Sequence, residues 1–300
     1  MSSLLTNASA MTALQTLSTI NKNLATTQER ISTGLRVNTA SDNAAYWSIA
    51  TTMRSDNKAL SSVQDALGLG AGKLDTAYTG MNEVIDTVDK IKQKLVAAQG
   101  ASLEDQQKIA TEITALQEHI KSVAANSIYA GTNMLKNNGT GTSGTPGTDA
   151  QWDIVASYNR TGTTVDVETI KIAVTDIQLL NGNDTEGLVS TVVAPNLFAI
   201  ADNPLPNDAI TEALEKVESV LSNLADAAAK LGAAKSRVDL QKEFVSKLSD
   251  AIDRGIGQLV DADMNEESAR LSALQVQQQL GIQALSIANA NAQNILALFR

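Results

Sequence analysis

Hydrophobic residues recur at alternating steps of three and four along most of the chain. The longest such run extends from Tyr46 to Leu95, and only Asp56 and Gly70 depart from it. A 3.5-residue period sustained over about seven heptads predicts one long α-helix with a single coiled-coil seam. Glycines at 68, 70 and 72 predict a weakened or bent stretch. The seam consists of Tyr46, Ile49, Met53, Leu60, Val63, Leu67, Leu74, Ala77, Met81, Val84, Val88, Ile91 and Leu95.

Two further seams predict two more helices. One follows a break at Gly100, with Ser102 as its N-cap and acidic residues in its first turn. It runs through Ile109, Ile113, Leu116, Ile120 and Val123. The other begins after Pro206, with Asp208 as its predicted cap. It runs through Ile210, Leu214, Val217, Leu221, Leu224, Ala228, Leu231, Val238, Val245, Ile252, Ile256 and Leu259.

Both ends of the chain also carry seams, and charged side chains are scarce there. The first charged side chain is Lys22, and none occurs between Leu271 and Phe299. The N-terminal seam is Leu14, Leu17, Asn21, Leu24, Gln28, Ile31 and Leu35. The C-terminal seam is Leu271, Leu274, Gln278, Gly281, Leu285, Ala288, Ala292, Ile295 and Phe299.

The C-terminal segment is apolar off its seam as well, at Val276, Leu280, Ile282 and Ile287. A helix that is apolar on every side is typical of the interior of a larger assembly. We therefore expect the two ends to pack against each other and against further copies of the chain. The alternative is a core helix buried within one chain, but the rest of the sequence offers few large apolar residues to enclose it.

The segment 136–206 differs in character from the rest. It contains the Gly/Thr-rich stretch KNNGTGTSGTPGTDA, all four prolines, and eight acidic residues against three basic ones. Three stretches rich in β-branched residues, QWDIVASY, TTVDVETIKIAVTDIQL and LVSTVV, are predicted strands. The fold is thus predicted to be mainly α. N- and C-terminal segments form a long antiparallel coiled-coil rod, and a small β-rich outer domain is inserted into it.

The composition excludes several classes of partner and binding site. The net charge of −10 argues against nucleic acid and anionic membranes as partners. The chain has no cysteine, hence no disulfide or thiolate metal site. No run of about 18 apolar residues offers a membrane span. The N-terminus lacks a basic segment followed by a continuous apolar one, so we expect cytoplasmic residence or export that reads no cleaved signal.

No stretch predicts catalysis or a cofactor. Asp261-x-Asp263-x-Asn265 imitates the start of a calcium loop, but Glu266 occupies the position that needs glycine. We expect an acidic helix start there instead. His119 is the only histidine, which excludes a His-x-x-x-His zinc motif and predicts a surface residue. The prediction is a non-enzymatic protein without metal or cofactor.

Two signatures resemble bacterial flagellins. The first is RISTGLRVNTASDNAAYW near the N-terminus, and its flanking sequence is most similar to flagellins of rhizobium-type alphaproteobacteria. The second is VDADMNEESARLSALQVQQQLGIQALSIANANAQNILALFR at the other end. The residues that carry the first are Ser32, Gly34, Leu35, Arg36, Val37, Asn38, Ala40, Asp42, Asn43, Ala44 and Ala45.

The resemblance implies a structural subunit of the flagellar filament, secreted by type III export and self-assembling into a helical tube for swimming. It implies an inner filament core from 1–40 and 261–300, a coiled-coil rod from 41–135 and 207–260, and a variable surface insert at 136–206. The partners would be other copies, an export chaperone and the export apparatus, cap and hook–filament junction proteins, and flagellin paralogues. The expected inter-subunit core contacts are Leu14, Leu17, Leu24, Ile31, Leu274, Leu285, Ala288, Ile295 and Phe299.

Two alternative functions remain open, one within the same flagellar apparatus and one from a binding class. A hook–filament junction protein resembles flagellins at both ends and has a similar length. A surface homologue that captures a ligand would use the insert, whose stacking aromatics are Trp152, Tyr158 and Phe198.

Overall fold

The computed structural model describes residues 7–137, 150–162, 164–194, 197–198 and 206–298, with side chains up to residue 290. The fold is mainly α, as predicted, with long helices and two small antiparallel sheets. In chain order the elements are α1 Ala8–Thr33, α2 Ala44–Ala98, α3 Leu103–Asn126, β1 Ile128–Tyr129, β2 Thr132–Asn133, β3 Gln151–Thr161, β4 Thr164–Ala173, α4 Val174–Ile177, α5 Ser190–Val193, α6 Asn207–Val260 and α7 Met264–Leu298.

The chain divides into two compact units. Residues 1–57 and 250–300 form one, called here the terminal unit, and residues 58–249 form the other, called the central unit. Each has its own buried residues.

The central unit is built on the seam of α2. Every predicted seam position from Leu60 to Leu95 is buried, Gly70 included. The second predicted seam lies on α3, where Ile113 and Ile120 are buried. Ser102 caps α3 as predicted, since its Oγ accepts a hydrogen bond from the Asp105 amide at 3.3 Å. The heptad pattern thus locates the contact face of α2 correctly. On α3 the predicted Ile109, Leu116 and Val123 are only half-buried, and Gln117 and Ala124 lie in the core instead.

The seam of α6 follows a different register from the predicted one. Ile210, Val217, Leu224 and Leu231 are buried as predicted, but Leu214, Leu221 and Ala228 are only half-buried. The predicted and the observed register share these four positions. Between them, the next seam residue can lie three or four positions further along the chain, and both of those positions are apolar on α6. The positions that lie in the core instead are Ala213, Val220 and Ala227. Asp208 lies within the first turn of α6 rather than before it.

The glycines do not interrupt α2, which is helical from Ala44 to Ala98. Two of them make room for neighbouring elements. A Cβ on Gly70 would collide with the Ile154 side chain of β3, and one on Gly72 would lie 2.5 Å from the Tyr129 ring of β1. The expected weak point in α2 is therefore a place of close approach for the β elements.

The described part of the inserted segment forms one β-hairpin and two short helical turns. β3 pairs antiparallel with β4, from Gln151 opposite Ala173 to Thr161 opposite Thr164, with a bulge between Val155 and Ser157. These strands confirm the first predicted stretch and most of the second, which ends in the helical turn α4.

The third predicted strand, LVSTVV, is wrong, because Ser190–Val193 is helical. Its β-branched residues have no partner strand, and strand propensity depends on such a partner. The Gln117 amide of α3 donates instead to the Val192 carbonyl at 2.7 Å.

The terminal unit has a small core near the ends of α2 and α6. Val37, Ala50, Ile256 and Val260 are buried there. Tyr46 and Ile49, the first two members of the predicted α2 seam, are exposed. The single chain therefore does not bury the seam as far as the sequence predicts.

Candidate functional site

Helices α1 and α7 pair antiparallel in the terminal unit. Three polar contacts join them at intervals. The Asn7 amide donates to the Ala288 carbonyl at 3.0 Å, and the Gln278 amide donates to Asn21 Oδ1 at 2.7 Å. Arg30 pairs with Glu267 at 3.1 Å. The start of α1 thus lies beside the later part of α7, and the seam amides Asn21 and Gln278 form a hydrogen bond within one chain.

Residues at both ends of α1 and at the start of α7 cap these helices. Asn7 Oδ1 accepts from the Ala10 amide, and Gly34 closes α1 with a φ of 72°. Asp263 Oδ1 accepts from the amides of Asn265 and Glu266 at 2.9 and 3.3 Å. The acidic stretch before α7 is therefore a helix start, as predicted, rather than a calcium loop.

The α7 seam is confirmed in the described part of the helix. Leu274 is buried, and the other seam positions from 271 to 288 are half-buried, while their neighbours are exposed. The α1 seam is shifted. Its buried or half-buried positions are Ala10, Ala13, Leu17, Ile20, Leu24, Thr27 and Ile31. The predicted positions Leu14, Asn21 and Gln28 are exposed, through the same ambiguity of the three-four repeat that affects α6.

Most of the residues expected between subunits lie between α1 and α7 of one chain. Leu17, Leu24, Ile31, Leu285 and Ala288 are half-buried there together with buried Leu274. Leu17 also lies against Gly281, where an added Cβ would be 3.1 Å from its Cδ1. Leu14 points to solvent. The Ile295 side chain and Phe299 lie outside the described residues.

The outer faces of the helix pair expose large apolar side chains. Each is more than half exposed, and they are Met11 and Leu14 on α1 and Val276, Leu280, Ile282 and Ile287 on α7. The off-seam apolar residues of the C-terminal segment predicted the α7 face. Met11 was missed, although the charge-free sequence around it gave the same signal. A monomeric protein rarely exposes so much apolar surface to solvent.

One buried charge lies within this otherwise apolar pair. The Glu267 side chain is 7% exposed, and its Oε1 contacts Arg30 at 3.1 Å and Arg270 at 3.7 Å. A carboxylate this deeply buried is retained when cations compensate it. The sequence did not reveal this residue, because its position in the first turn of α7 also suits a solvent-exposed acid.

The segment from Gly34 to Asn43, which carries the first signature, is held to the end of α6. The amides of Arg36 and Val37 both donate to the Val260 carbonyl, at 2.7 and 3.2 Å. Asp42 Oδ2 accepts from the amides of Thr39 and Asn38, which lowers the pKa of that carboxyl. Exposed polar residues of the signature thus stabilise the turn between α1 and α2.

The described residues offer little for catalysis or ligand capture. They contain no group of three or more metal-ligating acidic, His or Cys side chains. No helix among them is long and apolar enough to span a membrane. His119 lies on the surface, 3.3 Å from Glu83. Two of the three insert aromatics, Trp152 and Phe198, are buried, and the third, Tyr158, is half-buried.

Comparison with known proteins explains this geometry. Residues 4–140 match the bacterial flagellin N-terminal helical region, and residues 214–299 match the C-terminal helical region. The chain belongs to the flagellin family. It is 56% identical to a flagellin of Brucella melitensis and 47% identical to flagellin C of Rhizobium meliloti, each alignment covering all of both chains. This flagellin is a structural subunit of the extracellular flagellar filament and not an enzyme.

A solved structure shares the fold. It is a putative flagellar hook-associated protein from Vibrio parahaemolyticus, with a TM-score of 0.56 and 14% identity. The match covers 73% of this flagellin and 100% of that chain. At this identity the likeness concerns the fold alone.

Proposed function

We propose that the outer faces of α1 and α7 form the subunit contacts of the filament. The observation that supports this is the exposure of Met11, Leu14, Leu280, Ile282 and Ile287 in segments without charge, since no charged side chain precedes Lys22 or lies between Leu271 and Phe299. Apolar area removed from water stabilises an assembly by about 25 cal/mol per Å². Each added subunit would therefore gain where the single chain leaves these side chains in water.

The two faces of each helix have different roles in this proposal. Inward residues such as Leu17, Leu24, Ile31, Leu274 and Leu285 join the two helices of one chain, and they reach neighbouring copies at their exposed edges. Leu14 and the exposed residues of α7 make contacts between copies only. Ala288 belongs to the inward set, and we assign Ile295 and Phe299 to the same core by their heptad positions.

The family resemblance and these exposures together support a division of labour along the chain. Residues 1–40 and 261–300 would form the inner core of the tube, and residues 41–135 and 207–260 the surrounding rod. Residues 136–206 would face outwards. The outer half of β4 supports this, because residues 164–168 are all exposed.

The same faces require protection before export. Val276, Leu280, Ile282 and Ile287 would promote aggregation of monomers inside the cell. We propose that an export chaperone covers α7 there, and that the export apparatus, the filament cap and the hook–filament junction proteins meet these helices later. Flagellin paralogues with similar ends would co-assemble through the same faces.

Seeded polymerisation tests the proposal. Purified monomer is added to short filament fragments, and elongation is followed by electron microscopy and sedimentation. We expect filaments to lengthen with wild-type protein. Failure of the pure protein to add to seeds or to form filaments in a precipitant would contradict self-assembly through these helices.

A further inference from the structure

An apolar patch at the start of α2 is only partly covered within the described chain. Tyr46, Trp47 and Ile49 are 42%, 37% and 49% exposed. They include one of only two tryptophans in a chain that is 3% aromatic. The opposite side of this turn is already occupied, because Ala50 is buried against the core formed with Val37, Ile256 and Val260.

The patch continues a seam that is buried further along the same helix. Tyr46 and Ile49 occupy the heptad positions of Leu60 and Val63, both of which are buried. A three-four repeat specifies a helix–helix contact, so its apolar members at 46 and 49 are suited to a helical partner. The single chain buries the seam fully from Leu60 onwards but leaves Tyr46 and Ile49 partly exposed.

The backbone of the patch is held by hydrogen bonds within the chain. Asn43 Oδ1 accepts from the Tyr46 amide at 3.1 Å, and the Asn43 carbonyl accepts from the Trp47 amide at 2.9 Å. Asp42 fixes the preceding turn through the amides of Asn38 and Thr39. Aromatic side chains on a capped helix end lose little conformational freedom on binding, which favours them as contact residues.

We propose that Tyr46, Trp47 and Ile49 form a subunit contact with a second copy of this chain, distinct from the α1 and α7 faces. The proposal rests on the self-assembly argued above. A second copy is favoured as the occupant because flagellins polymerise, so every subunit meets others of its kind. Each copy also presents charge-free helical surfaces at Met11, Leu14, Leu280 and Ile287 that match an apolar patch.

The two tryptophans allow a direct test. Trp47 is exposed, whereas Trp152 is buried in the central unit at 8% exposure. Tryptophan emission and acrylamide quenching are measured before and after seeded polymerisation, for wild type and for Trp47→Phe. We expect wild type to shift to shorter wavelength and to lose quenching on assembly. Trp47→Phe reports only Trp152 and should show neither change.

Elongation kinetics provide the second arm. Trp47→Ala should raise the critical concentration about tenfold or more, as expected for a central aromatic contact. Val96→Ala, an exposed apolar residue near the other end of α2, is the matched control and should leave it nearly unchanged. If Trp47→Phe fails to elongate while its monomer keeps the wild-type circular dichroism, the contact is supported.

The outcomes separate the two proposals. Wild-type filaments in which Trp47 stays as quenchable as in the monomer would overturn this contact and leave self-assembly intact. An equal rise in critical concentration for Trp47→Ala and Val96→Ala would also overturn it. A wild-type protein that forms no filament at all would instead contradict the proposed function.

Discussion

The two units of this flagellin share the same heptad pattern but differ in how many of their hydrophobic residues are buried. Of 46 buried hydrophobic residues among those described, six lie in the terminal unit and 40 in the central unit. Of 18 exposed large hydrophobic residues, ten lie in the terminal unit, although it is the smaller of the two. The central unit completes its core within one chain, whereas the terminal unit leaves apolar surface for contacts that the single chain does not make.

The difference arises from the number of elements available to cover each seam. In the central unit, α3, the β elements and α6 all supply buried residues besides those of α2, and Gly70 and Gly72 let β3 and β1 approach closely. In the terminal unit, α1 and α7 have only each other along most of their length. Two helices bury one stripe each, and α7 is apolar on every side.

The largest expected effect is on filament elongation, and it should differ between an exposed leucine of the terminal unit and one of the central unit. Leu280→Asp on α7 should abolish elongation from seeds, because every subunit would bring an unpaired charge into an apolar contact. Leu240→Asp on α6 introduces the same change at a similarly exposed position of the central unit, 66% against 57% exposed, and should still elongate. Both monomers should keep wild-type circular dichroism. Equal loss of elongation in both variants would show that the two units do not differ in this respect.

A second prediction concerns the core of the central unit. Gly70→Ala should destabilise the unit by about 1–3 kcal/mol, because the new methyl group collides with Ile154 in a packed site. Gly68→Ala is the matched control on the same helix, since a Cβ there has nothing within 4 Å. It should stabilise the protein by up to about 1 kcal/mol through helix propensity. Urea unfolding of the two variants measures both effects, and destabilisation of equal size would contradict the close approach of β3.

A third prediction concerns the buried charge of the terminal unit. Glu267→Gln should lower the stability of the α1–α7 pair by about 1–2 kcal/mol, because Arg30 loses its ionised partner. Glu243→Gln removes an exposed partner of Lys247 one helical turn away and should leave the stability nearly unchanged. Hydrogen exchange of α7 amides in the monomer reports the difference. Equal protection in both variants would mean that the Glu267 pair contributes nothing.

The smallest expected effect involves Asp42. Its pKa is lowered by hydrogen bonds from the amides of Thr39 and Asn38, so the charged form stabilises the turn. That stabilisation is present above the ordinary Asp pKa and is lost as the pH falls below about 4 and through the folded pKa. NMR titration of the two amides should show this loss. Asp42→Asn should remove the pH dependence, and an unchanged titration would contradict the assignment.

The sequence predicted helices better than it predicted which side of each helix is buried. The seams of α2 from Leu60 onwards and of α7 up to Ala288 are right, although Tyr78, Ile85 and Ile282 place apolar residues in the alternative register as well. The neighbouring elements, not the pattern alone, decide which register is buried. On α1, α3 and α6 the structure buries the other register, so Leu14, Leu116 and Leu214 were placed in the wrong set. The strand prediction at LVSTVV failed because pairing depends on residues far away in the chain.

The candidate site was predictable in part. The scarcity of charge at both ends and the off-seam apolar residues identified the exposed α7 face directly. The buried Glu267 and the exposed patch at Tyr46 were not foreseeable, because each depends on which elements of the fold pack around it. Neither hydropathy nor periodicity carries that information.

Hydrogen exchange of the monomer and of the assembled filament tests the central claim most directly. Burial by neighbouring copies should slow exchange in α1 and α7 strongly, while the amides of α2 from Leu60 to Leu95, already protected in the monomer, should change little. The result predicted is a gain of protection concentrated in residues 8–33 and 264–298. A gain spread evenly over both units, or one confined to the central unit, would contradict the account.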